Sequence, residues 1–184
     1  MVLIMKGVIF TELFNLVENL KDADFVDDLI EECNLPSGGA YTSVGTYDYA
    51  EMQTLVFALA EKTGLPVPAL MEAFGRFLFS RFHVLYPALF AGHSCPIEFL
   101  AQIEAVIHKE VLKLYPEAQL PSFDILEHSS TTITLQYKSC RGLAPLALGL
   151  IQGCIAHFQK SGEADVVFVN EDNNEAVFRI RVTE

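Results

Sequence analysis

The 184-residue sequence predicts a helix-plus-sheet (α+β) fold, with helices first and an antiparallel sheet after them. Three patterns predict it. Apolar residues recur at helical spacing through residues 6–33 and again through 48–85. Beyond residue 120 two stretches alternate face by face, as strands do. A last pair of strand-like stretches flanks a Glu-Asp-Asn-Asn turn.

Residues 6–20 carry Val8, Ile9, Leu13, Leu16, Val17 and Leu20 on one wide apolar face. Asp22 or Asp24 opens a second helix through about Cys33, with Phe25, Val26, Leu29 and Ile30 inward. Asp27, Asp28, Glu31 and Glu32 form its solvated face. Leu35-Pro36-Ser37-Gly38-Gly39 is a loop, and its glycines lack the Lys-Ser/Thr of a phosphate-binding loop. Asp48 caps a third helix that Gly64 stops. The fourth, from about 67 to 84, is aromatic around much of its circumference. Such a surface suits the wall of a pocket for a flat apolar ligand, or ordinary core. His83 and His93 fall at or beyond its end, as loop or surface residues.

Ser94 as cap and Pro96 in the first turn begin a helix whose Leu100, Ile103 and Ile107 share a face. Residues 123–128 and 131–139 are strands, turning at Ser129-Ser130. Leu143 to Phe158 is an apolar helix in which Gly149 and Gly153 permit close approach of a backbone or ligand. Residues 165–170 and 176–183 make the final hairpin.

Half of the residues (51%) are hydrophobic and fourteen are Phe, enough for the sizeable core of one domain over 1–184. No apolar run approaches the ~20 residues of a membrane helix, and the brief Met-Val-Leu-Ile-Met start has no basic region before it. The cytoplasm is the expected location, and Met5-Lys6-Gly7 is an alternative start to Met1. The net charge of −12 argues against nucleic acid, which is bound by neutralising phosphates, and against anionic membrane surfaces. Cys33, Cys95, Cys140 and Cys154 are widely spaced, which reads as reduced thiols and not as a zinc site.

Two constellations carry chemistry. Leu100, Glu104 and His108 recur every fourth residue, so His108 sits at the margin of an apolar stripe. It is either a core or surface imidazole with one hydrogen-bond partner, or a neutral imidazole offered to a metal such as haem iron. In the strand at 131–139, Ile133, Leu135, Tyr137, Ser139 and, just beyond, Arg141 share the buried side. A buried guanidinium needs a partner. Either the strand frays and Arg141 turns to water, or Arg141 forks onto an anionic ligand with hydroxyl support from Tyr137 and Ser139. Haem suits both sites, needing one axial base and donors for two propionates.

Tyr137-Lys138-Ser139-Cys140-Arg141 has the form Tyr-x-Ser-x-Arg. With His108 about thirty residues earlier, Pro121 between them and a Met-Lys-Gly start, the chain from Met5 onward resembles an H-NOX domain, the haem domain type of soluble guanylate cyclase. The resemblance implies the H-NOX form of the α+β fold, with haem b buried between a helical N-terminal part (about 5–92) and a part holding the proximal helix and sheet (about 93–184). It implies His108 as proximal iron ligand, Tyr137, Ser139 and Arg141 on the propionates, and Pro121 and Ile9 pressing the porphyrin out of plane.

Oxygen-binding members of that family use a distal Tyr shortly after the Arg of the motif. The corresponding stretch here, 142–151, has no Tyr, and Leu146 stands near that place. With Leu13, Leu78, Phe82 and Leu150 it implies an apolar distal pocket that binds NO and CO and excludes O2. The missing hydrogen bond to a charged acceptor is worth ~1.5–3 kcal/mol. NO would weaken the bond to His108 until it breaks, releasing the helix that carries it. The expected receiver is a separate histidine kinase or cyclic-di-GMP enzyme. A haem enzyme such as a peroxidase is the alternative, turning on where Arg76 and Arg81 lie; a haem-free interaction module is another.

Overall fold

The computed structural model describes residues 3–158 and 161–183. Met1, half of the question about the start, lies outside them. The chain opens with a strand the sequence did not announce. β1 (Ile4–Lys6) pairs antiparallel with β2 (Thr46–Asp48), Met5 opposite Tyr47. Helix α1 (Gly7–Leu20) follows at once. A Cβ on Gly7 would fall 1.9 Å from the Thr42 carbonyl oxygen, so only glycine fits where the two segments meet. Asp22 caps α2 (Ala23–Cys33), accepting the Phe25 amide at 2.8 Å. Asp48 caps α3 (Tyr49–Thr63), and Gly64, at φ 70°, ends it. Helix α4 (Val67–Leu85) starts on Pro68 in its first turn. Phe10, Leu13, Leu29, Met52, Leu55, Phe74 and Leu78 from these helices form one apolar core.

A 3-10 turn (Pro87–Leu89) leads to α5 (Pro96–Ala101), whose N-cap is Cys95. Ser94 is therefore not the cap, and no side chain serves as one. The single helix expected from there is broken. A π-helical turn (Ile103–Ile107) separates α5 from α6 (His108–Leu114), with the Ile107 amide donating five residues back to the Gln102 carbonyl.

Strands β3 (Ser122–His128) and β4 (Thr132–Lys138) turn at Ser129-Ser130, helix α7 (Ala144–His157) crosses, and β5 (Gly162–Val169) and β6 (Glu175–Val182) close the sheet. Its order is β3-β4-β6-β5, every neighbour antiparallel. The inward set Ile133, Leu135 and Tyr137 faces Phe178 and Ile180 of β6 and joins Leu100, Ile151 and Cys154 in a second core. Phe82 and Leu150 pack against both cores, at the place where the helical half meets the sheet half.

Candidate functional site

The π turn sets His108 at the head of α6, above β3. Its Nδ1 lies 3.0 Å from Glu104 Oε1, four residues back, and the ring is only 15% exposed. The same Glu104 oxygen accepts the Phe123 amide of β3 at 2.8 Å. Burial holds the imidazole below its ordinary pKa, and Glu104 works in the opposite direction. A neutral ring carries one proton. Donation of that proton from Nδ1 to the Glu104 oxygen would leave the lone pair on Nε2. Among the described residues no three or more of His, Cys, Asp and Glu gather where they could hold a metal ion, so His108 stands as a single candidate ligand.

The structure also brings Tyr137, Ser139 and Arg141 together, though not by strand alternation. β4 ends at Lys138, and the Ser139 amide donates at 2.8 Å to the Asn174 carbonyl in the β5–β6 turn. Arg141 lies in the turn beyond, before Gly142 at φ 63°. The Tyr137 side chain is wholly buried. Burial pushes its phenol pKa up, while Ser139, the Leu143 backbone and the nearby Arg141 charge pull it back. Ser139 Oγ accepts the Arg141 amide at 3.2 Å.

Arg141 does not turn to water. Its Nη1 donates to the Ile4 carbonyl of β1 at 2.6 Å, and its own carbonyl accepts the Tyr49 hydroxyl at 2.8 Å. Its Nε is buried with no hydrogen-bond partner among the described residues. A chain of rings, Phe123 to His108 at 6.1 Å and to Tyr137 at 5.4 Å, connects the two constellations.

Leu13, Leu78 and Leu146 are buried in the helical core, with Ile9, Phe82 and Leu150 packed on it. Pro121 immediately precedes β3 and is half-buried. The two arginines of α4 are committed elsewhere. Arg81 Nε meets Glu12 Oε2 at 2.6 Å, and Arg76 Nη1 meets Glu72 at 2.7 Å and Gln152 at 2.5 Å. His83 is exposed in the last turn of α4, its ring 4.2 Å from that of His157.

Sequence reasoning assigned no role to five participants. Glu104 was visible only as a spacing. Tyr49 and the Ile4 carbonyl reach Arg141 from far along the chain, and no local pattern marks them. The Tyr86–Tyr115 hydroxyl pair, 2.8 Å apart, ties the end of α4 to the end of α6.

A family model described as "Haem-NO-binding" matches residues 6–166. Among solved structures, the Fe(II) unliganded H-NOX protein from K. algicida is 39% identical, with 98% of this chain and 97% of that one covered and a TM-score of 0.92. The Fe(II)NO state of an H-NOX protein from S. oneidensis is 27% identical, covering 98% and 100%, with a TM-score of 0.91. The IWP-051-bound H-NOX from Shewanella woodyi, in its Fe(II)CO state, is 34% identical, covering 97% and 95%, with a TM-score of 0.82. Comparison with curated proteins returns no match. On the family model and these structures together, the chain belongs to the H-NOX family of gas-sensing haem domains, which are sensors and not enzymes.

Proposed function

We propose that residues 1–184 act as one cytoplasmic haem b sensor that takes NO and CO, leaves O2 unbound and signals to a separate protein. The observation that carries this reading is the buried Arg141 Nε, without a hydrogen-bond partner among the described residues. A fixed positive charge with an idle buried donor is costly unless an anion completes it. Tyr137 and Ser139 beside it supply the hydroxyls a carboxylate would accept, which is the donor set a haem propionate needs. His108, its Nδ1 turned to Glu104, is the residue that would hold the iron. Ile9, on the helical core, and Pro121, at the entry to β3, are the residues proposed to press on the macrocycle.

Ferrous haem held here would supply the iron at which diatomic gases bind. The residues proposed to face it decide which gas stays. Leu13, Leu78, Phe82, Leu146 and Leu150 have no hydrogen-bonding side chain, and the Arg81 guanidinium is engaged by Glu12. The ~1.5–3 kcal/mol that a donor would give to a partly anionic ligand is therefore missing. Release of His108 from the iron it would hold would free the π turn and α6, in which no residue is fully buried. That is a two-state element which a ligand can bias. The receiver proposed is a histidine kinase or a cyclic-di-GMP enzyme.

The test is reconstitution with haem, reduction, and absorption spectra under air, NO and CO. The expected result is a spectrum unchanged by air and shifted by both other gases. A stable shift under air would sink the exclusion of O2, and an unchanged axial ligand in His108→Ala would sink the assignment of His108. Turnover of peroxide would favour an enzyme.

A further inference from the structure

One oxygen of Glu104 holds two hydrogens that belong to different parts of the fold. It faces His108 Nδ1 at 3.0 Å and takes the Phe123 amide at 2.8 Å. Phe123 belongs to β3, an edge strand that among the described residues pairs with β4 alone. Its amide points away from that partner and finds this side chain instead. Glu104 is 45% exposed, so an i, i+4 pair on a wet helix face would be the ordinary account. The second bond, nineteen residues along the chain, sets it apart, because it fixes the carboxylate against the sheet. Of the two lysines of α6, Lys113 pairs with Glu110 at 2.6 Å, and among the described residues neither it nor Lys109 makes an ion pair with Glu104.

We infer that Glu104 is a positioning residue for His108: it fixes the ring's tautomer and direction, and it tunes how strongly Nε2 donates to iron according to where β3 sits. This rests on the reading of His108 as axial ligand. A carboxylate that draws on the Nδ1 proton makes the opposite nitrogen a stronger donor, as partners of metal-bound histidines commonly do. The strength of the bond that must break for signalling is then set partly by Phe123. A displacement of β3 by a bound protein would reach the imidazole through one side chain.

The test uses the haem-loaded full chain in the ferrous state, with Glu104→Gln, Glu104→Ala and His108→Ala. The readouts are the iron–imidazole stretching band in resonance Raman, the reduction potential and the rate of haem loss. Glu104→Gln keeps both acceptor contacts and removes the charge, so the band should move to lower wavenumber and the potential should rise. Glu104→Ala should move both further and speed haem loss roughly tenfold to a hundredfold. A merely structural glutamate would alter haem loss without moving the band in Glu104→Gln. If the band vanishes in His108→Ala yet stays in place in both Glu104 variants, the inference is overturned and the axial assignment stands. If the band survives His108→Ala, or the wild type takes no haem, the assignment fails and the inference falls with it. Should Glu104→Ala not fold, the near-isosteric Gln variant decides alone.

Discussion

Along α4 and α7 the two backbones touch. A Cβ on Gly149 would lie 2.1 Å from the Glu72 carbonyl oxygen, and one on Gly75 would lie 2.3 Å from the Leu146 carbonyl oxygen. Seven residues of α7 are buried. From Ile103 to Leu114 none is, and Val106 (39%), Leu112 (39%) and Leu114 (57%) are exposed. One region is fixed by close packing; the other is held by the half-buried Ile103 and Ile107, by Glu104 on β3 and by Tyr115 on Tyr86. Elements that move are drawn from the weakly held end of a fold, and the proposed ligand sits on such an element.

The widest gap should appear on truncation. Leu78→Ala, in the packed region, should cost about 2–5 kcal/mol in urea unfolding. Leu112→Ala on α6 should stay within about 0.5 kcal/mol. Equal losses would break the contrast. Gly149→Ala should cost about 1–3 kcal/mol, since a backbone and not a flexible side chain must give way. Thermal unfolding of the glycine and alanine proteins checks it. The hydroxyl pair is a smaller matter. A cycle of Tyr86→Phe, Tyr115→Phe and the double variant should show a coupling of about 0.5–1.5 kcal/mol, and no coupling would leave Glu104 and the packing of Ile103 and Ile107 to hold the segment.

The smallest effect is titration at the far end of α7. Burial, and then the neighbouring His83, hold His157 below the ordinary value of 6.5. The unfolded chain therefore binds that proton more readily, so stability is full above pH 6.5 and falls as pH drops below it. His108 contributes in the same sense. His157→Gln should flatten part of the difference between urea midpoints at pH 7.5 and pH 5.5, and an unchanged slope would remove His157 from the account.

What could be read from the sequence was local. Asp22, Asp48 and Gly64 mark helix ends because caps and left-handed turns act over a few residues, and the inward set of β4 follows from alternation. β1 and β2 were hidden because three-residue strands carry no period and their pairing spans about forty residues. Alternation also carried β4 too far. The strand stops at Lys138, and a turn closed by Asn174, not the strand's own pleat, delivers Arg141. The partners of Arg141 and Arg81 come from β1 and α1, more than sixty residues away. The π turn left no trace in apolar spacing, since Leu100, Ile103 and Ile107 fit a regular helix equally well.

That widened turn constrains how the chain can vary in length. It is a helix with one residue to spare, so losing any residue from 103 to 107 would restore an unbroken ladder and rotate everything downstream about 100° around the axis. The imidazole would swing off the sheet with no substitution near it. Deletions there should be far less tolerated than in the loop before α5, where slack can absorb them.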